Sequence, residues 1–195
     1  MNEGEPRADL CNRIKKELTG YRVFDSGRGT NLIYQIIIDE KGETKSEDTA
    51  HPARGTYAFQ TDIVIKNEKV PLVAIETKFG SLTTHDILTY SAKATRHKGI
   101  YPYLRYGLVA GNLQKIPNRL FVHNQGFDFA ASLKDINDEH ELKLIMMMVE
   151  EQVRDAEKLL GIMEKEEEPE CLPTEWRWRY EFIGRGKIFR SEAHH

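Results

Sequence analysis

The sequence predicts an α/β fold: a mixed central sheet flanked by helices, extended at the C-terminal end by a long helix and a basic tail. Three observations predict it. The runs Ile63-Val64-Ile65 and Leu72-Val73-Ala74-Ile75 are apolar at both alternating positions, as strands are when both sheet faces are covered. Helical periodicities lie before and after those strands, the interleaving of an α/β architecture. A chain of 195 residues, 39% hydrophobic and 30% charged, is long and apolar enough to bury one ordinary core.

Taken in order, Leu10, Ile14 and Leu18 recur every fourth residue and predict a helix over about 6–18, which Gly20 ends. The turn-rich stretch Asp25-Ser26-Gly27-Arg28-Gly29-Thr30 leads into a predicted strand at 32–38. From Asp39 to Gly55 the chain is polar, either a surface loop or a binding loop. Strands are expected at 57–66 and 71–79, joined as a hairpin by Asn67-Glu68-Lys69. A helix over about 84–98 opens at Thr83/Thr84 with Asp86 in its first turn and closes on Arg96, His97 and Lys98, matching the helix dipole at both ends.

Residues 104–110 read as a further strand, and the apolar pieces 119–123 and 127–133 as shorter ones. Between about 138 and 166, Leu142, Met146, Val149, Val153, Ala156, Leu160 and Met163 alternate in fours and threes. That narrow seam belongs to a long helix lying either on its own domain or on the same helix of a second copy. The division is therefore a core over 1–135 and, over 136–195, the long helix with an aromatic basic tail, packed on the core or on a partner subunit.

Cys11 and Cys171 stand far apart without CxxC spacing, which excludes a zinc cluster and a disulfide framework. The seven histidines show no paired ligand spacing. No apolar run spans a bilayer and MNEGEPRADL lacks a signal-like core, so the expectation is a cytoplasmic protein without membrane contact. A net charge of −3 means that any nucleic-acid contact depends on local basic groups.

Against this background the hairpin poses a question, because Asp62, Glu76 and Lys78 sit among its apolar residues. Buried charges are costly unless paired or bound to metal. With residues 67–71 as the loop, Lys66 faces Leu72 and Asp62 falls directly opposite Glu76, while alternation puts Lys78 on the Glu76 face. Val64, Leu72 and Ala74 are expected on that same face and Ile63, Ile65, Val73 and Ile75 on the other. Two adjacent carboxylates repel unless a divalent cation takes up the charge, and Mg²⁺ accepts one or two carboxylates plus waters. Such an ion would polarise a scissile phosphate and acidify a bound water, with Lys78 orienting that water or stabilising the developing charge. Asp/Glu-x-Lys occurs four times, at Asp39/Lys41, Glu43/Lys45, Glu76/Lys78 and Glu141/Lys143, but only the Glu76 copy ends an apolar strand with an acid on the preceding one.

Asp62, the hairpin and Glu76-Thr77-Lys78, with a helix before and a helix and strand after, resemble the PD-(D/E)XK nuclease superfamily over about residues 6–110. The resemblance implies a restriction-endonuclease-like αβββαβ core, Mg²⁺ with Mn²⁺ as a substitute, and cleavage of double-stranded DNA. It implies Asp62 and Glu76 as metal ligands, Lys78 as the catalytic lysine and the Thr77 carbonyl as a further ligand. Many members add a first-helix glutamate; Glu17, seven residues after Leu10, shares that helix's apolar face and either fills this role or reaches out to solvent. Thr61 stands where the name-giving proline would be, and Asp86 precedes Tyr90 where exonuclease-like branches often carry glutamine, which points toward an endonuclease.

The expectation is a type II restriction enzyme acting as a homodimer. The alternatives are a repair or structure-selective nuclease and a nucleic-acid-binding module of this fold without catalysis. Candidate DNA contacts are Arg28, Arg54, Lys93, Arg96, Arg177 and Arg179, the last two alternating with Trp176 and Trp178 in a tail that a half-buried strand explains equally well.

Overall fold

The structure is a computed structural model that describes residues 4–45, 52–55, 57–68, 70–164, 182–184 and 187–189. Helix α1 (Gly4–Glu17) leads to a short strand β1 (Arg22–Phe24), a 3₁₀ turn (Gly27–Thr30) and β2 (Asn31–Ile33). Two small strands follow, β3 (Ile37–Ile38) and β4 (Thr44–Lys45), and then β5 (Ala58–Gln60). The hairpin is β6 (Ile63–Asn67) and β7 (Val70–Phe79). After it come α2 (Thr84–Ile100), β8 (Arg105–Gly111), α3 (Asn118–His123), β9 (Phe129–Leu133) and α4 (Glu139–Glu164). Strands β10 (Phe182–Gly184) and β11 (Lys187–Phe189) lie in the tail.

One mixed sheet runs β1-β6-β7-β8-β9, continued by β10 and β11. Its first three strands are antiparallel; β8 and β9 run parallel to β7. Helices α1 and α4 cover one face, where Leu10, Ile14, Leu142, Ile145 and Val149 bury Ile63, Ile65, Val73, Ile75 and Phe129. Helices α2 and α3 cover the other, packing Ile87, Ala94 and Leu120 on Val64, Ala74, Tyr106 and Leu108. Both faces are covered, as the apolar runs of β6 and β7 require.

Several expected elements change. The strand predicted over 57–66 is two strands: β5 pairs with β2, β6 with β1 and β7, and the chain steps between sheets at Thr61 and Asp62. Thr61 fixes the step, since its amide and its hydroxyl both donate to the Thr30 carbonyl at 2.9 Å. The stretch expected as one strand at 32–38 is split between β2 and β3. Residues 119–123 form α3 instead of a strand. Pro117 stands at its N-cap, and only Leu120 is buried while Phe121 and Val122 are exposed, one inward residue per turn.

Register through Ile63↔Ile75, Val64↔Ala74 and Ile65↔Val73 is the one counted from the sequence. A bulge between Ile65 and Lys66 then moves Lys66 opposite Pro71 rather than Leu72. In consequence Leu72 joins the α1/α4 side of the core, against the expectation that it would share a face with Val64 and Ala74. The bulge lies at the turn end, so the register at Asp62 is untouched.

Helix α2 begins with a capping box, in which the Asp86 amide donates to the Thr83 hydroxyl and the Thr83 amide to the Asp86 carboxylate. The seam of α4 lies on its own sheet: Leu142, Met146, Val149, Val153 and Ala156 are all buried in the shared core. Of the two arrangements the sequence left open, this part of the seam takes the first; further along, Leu160 is partly buried and Met163 is exposed. Among the described residues no helix is long and apolar enough to cross a membrane.

Candidate metal and nucleic-acid site

Glu76 and Lys78 come from the C-terminal half of β7, beside the C-terminal half of the parallel strand β8, the sheet end at which α/β proteins place ligands. Asp62 lies just before β6, and the register of that strand sets it opposite Glu76. Because the ladder begins only at Ile63, the Asp62 carboxylate does not stand free beside Glu76. It turns to the neighbouring residue of β7, where its Oδ2 accepts the Thr77 amide at 2.8 Å and the Thr77 hydroxyl at 2.9 Å. Its Oδ1 faces the Arg7 guanidinium of α1, at 3.8 Å.

Glu76 is held by its Oε1 as well. That oxygen accepts the Tyr106 hydroxyl at 2.6 Å and pairs with the Lys93 ammonium at 2.6 Å. Asp62 is thus held by Thr77 through Oδ2 with Arg7 beside Oδ1, and Glu76 is held through Oε1 by Tyr106 and Lys93. Burial pushes the Glu76 carboxyl above its ordinary value; Lys93 opposes that shift and the Asp62 charge adds to it. Burial and the adjacent Glu76 raise the Tyr106 hydroxyl well above its own, so it stays a neutral donor.

Two mutually repelling carboxylates, with the Thr77 carbonyl next in the chain, form a hard-oxygen donor set that suits Mg²⁺ or Mn²⁺. Among the described residues no group of three or more His, Cys, Asp or Glu could hold a metal ion, so protein ligation would rest on this pair. Lys78 is half-buried two residues beyond Glu76 on the same side of β7, and its charge helps to hold Asp86 below the usual carboxylate range, after the larger effect of the Thr83 hydrogen bonds. The ammonium is therefore near the first turn of α2.

Glu17 is not at this site. Arg7 marks the end of α1 nearest Asp62, and Glu17 lies ten residues further along, about 15 Å by the helical rise. It is exposed, in a groove between α1 and α4 with Arg13, Lys16 and Glu150. Of the two alternatives the sequence left, the structure shows the solvent-reaching one, and helical phase carried no information about which end of α1 meets the hairpin.

Three of the proposed DNA contacts, Arg54, Lys93 and Arg96, line one open groove with Phe59, Gln60 and Tyr90. Arg54 donates to the Gln60 side chain at 3.2 Å, and Arg96 lies over the Tyr34 ring, which stacks on Phe59. Arg28 is exposed on the 3₁₀ turn that Thr61 anchors, two residues before Thr30. Arg177 and Arg179 lie outside the described residues. Lys93 differs from the others because its ammonium already holds Glu76. That role and the roles of Tyr106 and Arg7 are additions to the sequence reading. For Tyr106 a signal existed: a tyrosine in a strand covered on both faces needs a partner for its hydroxyl.

His97 lies fully buried behind this network, stacked on Tyr106 at 5.6 Å and edge-on to Phe59 at 6.1 Å. Burial first and Lys93 second lower its pKa to about 3; the nearby Leu32 backbone opposes the shift but satisfies neither ring nitrogen. The folded state thus keeps His97 neutral while the unfolded chain takes up a proton below about pH 6.5, so its contribution to stability is complete above that pH and is lost as pH falls toward 3. Denaturant titrations should show a loss of about 2 kcal/mol between pH 6.5 and roughly pH 5, which His97→Phe largely removes; an equal loss in that variant would assign the acid sensitivity elsewhere.

Comparison of the chain with protein families, curated proteins and solved structures returns no match.

Proposed function

We propose that the protein is a Mg²⁺-dependent DNA endonuclease of the PD-(D/E)XK type, with a type II restriction enzyme as the leading form. The observation that carries the proposal is the meeting of Asp62 with Glu76-Thr77-Lys78 at one sheet end, with Asp62 held by Thr77 and Glu76 by Tyr106 and Lys93. The order α1, β1, β6, β7, α2, β8 supports the same reading, since it follows the αβββαβ plan with β1, rather than the stretch 32–38, as the first strand.

The chemistry supplied by Mg²⁺ when bound is polarisation of the phosphodiester and acidification of a water. Asp62 and Glu76 would hold the ion; Thr77 aims the first, and Tyr106 with Lys93 aims the second. Lys78 orients the attacking water and stabilises charge on the phosphate. Arg54 and Arg96 bind the DNA backbone along the groove that leads to Lys93. Cutting both strands calls for a second copy with its own site, joined through a surface other than the buried stripe of α4.

One observation favours a second reading. Lys93 already neutralises Glu76, as an ammonium would in a nucleic-acid-binding module of this fold that had given up its metal. Incubating the protein with plasmid DNA in Mg²⁺, Mn²⁺ or EDTA separates the two. Discrete fragments that require the metal are the expected result, and a smear would mean a nonspecific nuclease. Plasmid left intact in both metals would favour the binding module.

A further inference from the structure

Lys93 belongs to two places at once. It rises from α2 on the face shared by Thr89 and Arg96, four residues before it and three after, beside the small side chain of Ala92. Its Nζ is 2.6 Å from Glu76 Oε1, yet the same side chain, 17% exposed, lines the open groove with Arg54, Gln60 and Arg96. A lysine carries a compact charge on a flexible four-carbon stem, so its head can change partner without moving the helix.

We propose that Lys93 is a shared cation, seated on Glu76 while the acids hold no divalent ion and released to a substrate phosphate in the groove when they do. The inference rests on the nuclease reading above. Its physical basis is that Glu76 is buried and needs a positive charge beside it. A dication on Asp62 and Glu76 meets that need and repels the ammonium across a short, poorly screened distance. The open groove lined by Arg54 and Arg96 lies beside the freed head. Metal binding then adds a phosphate contact, and by linkage a bound phosphate strengthens metal binding.

The salt dependence of DNA binding reads this directly, because each phosphate contact contributes about 0.9 to the slope of log Kd against log salt. The assay measures anisotropy of a labelled duplex against KCl, in EDTA and in Ca²⁺, which takes the same oxygen ligands. Between wild type and Lys93→Met the expected difference in slope is near zero in EDTA and about 0.9 in Ca²⁺. Lys93→Arg should recover most of that difference. Glu76→Gln supplies an independent arm if Lys93→Met folds poorly, and in EDTA it should show the steeper slope that wild type shows only in Ca²⁺. An equal slope difference between wild type and Lys93→Met in both conditions would overturn the inference while leaving the nuclease reading standing. Wild type that binds no duplex in either condition would remove that reading and this inference with it.

Discussion

Asp62→Asn and Lys78→Met should each reduce Mg²⁺-dependent plasmid cleavage by roughly 10²- to 10³-fold or more without unfolding the protein. Asparagine keeps an oxygen that can accept the Thr77 amide and hydroxyl, so the step from β5 to β6 stays in place and only the charge is lost. Methionine likewise preserves most of the Lys78 stem while removing its ammonium. Cleavage rates followed by loss of supercoiled plasmid, alongside circular dichroism of each variant, separate chemistry from folding. Normal cleavage by either variant would mean that the residue takes no part in the reaction. Glu17→Gln, on the far end of α1, is expected to leave the rate unchanged.

The largest effect on stability is expected from Phe129→Ala, at about 3–5 kcal/mol, a large share of the roughly 5–15 kcal/mol that holds a typical domain together. Phe129 is fully buried in the layer between the sheet and α4. It pairs with Gly107 across the β8–β9 ladder, and its ring lies over that glycine so closely that a Cβ on residue 107 would come within 2.1 Å of it. Removing the ring therefore opens a cavity beneath α4, and adding a side chain at 107 drives the ring out. Gly107→Val alone should destabilise, but it should cost less in the Phe129→Ala background, where the space is vacant. Urea titrations of the four proteins test this, and a loss below about 1 kcal/mol for Phe129→Ala would show that the layer collapses around the missing ring.

Much of this was legible in the sequence, and the residues show why. Strands apolar on both faces announce their own burial, so β6 and β7 followed from alternation; the pairing of Ile63 with Ile75 came from counting a 67–71 loop, and it holds because the bulge at Ile65/Lys66 offsets the tighter turn that pairs Asn67 with Val70. The Thr83/Asp86 cap of α2 and the periodic stripe of α4 are equally local signals. What the stripe packs against is not local, and the choice between its own sheet and a second copy became clear only with the sheet in place. The same limit applies to Glu17, whose distance from the hairpin depends on how α1 runs relative to the strands.

Strand β1, with three residues, is too short to carry a period, and α3 follows Pro117 through residues whose β propensity favours a strand. The partnership of Lys93 with Glu76 joins residues seventeen apart on a helix and a strand, and nothing in either segment distinguishes that lysine from an ordinary surface charge.

The central claim is that Asp62 and Glu76 together hold a divalent cation, and calorimetric titration of Mn²⁺ into the DNA-free protein tests it most directly. One ion per chain is the predicted result for wild type and for Glu17→Gln, with that binding abolished in both Asp62→Asn and Glu76→Gln. Wild type that takes up no Mn²⁺, or uptake that survives both substitutions, would contradict it.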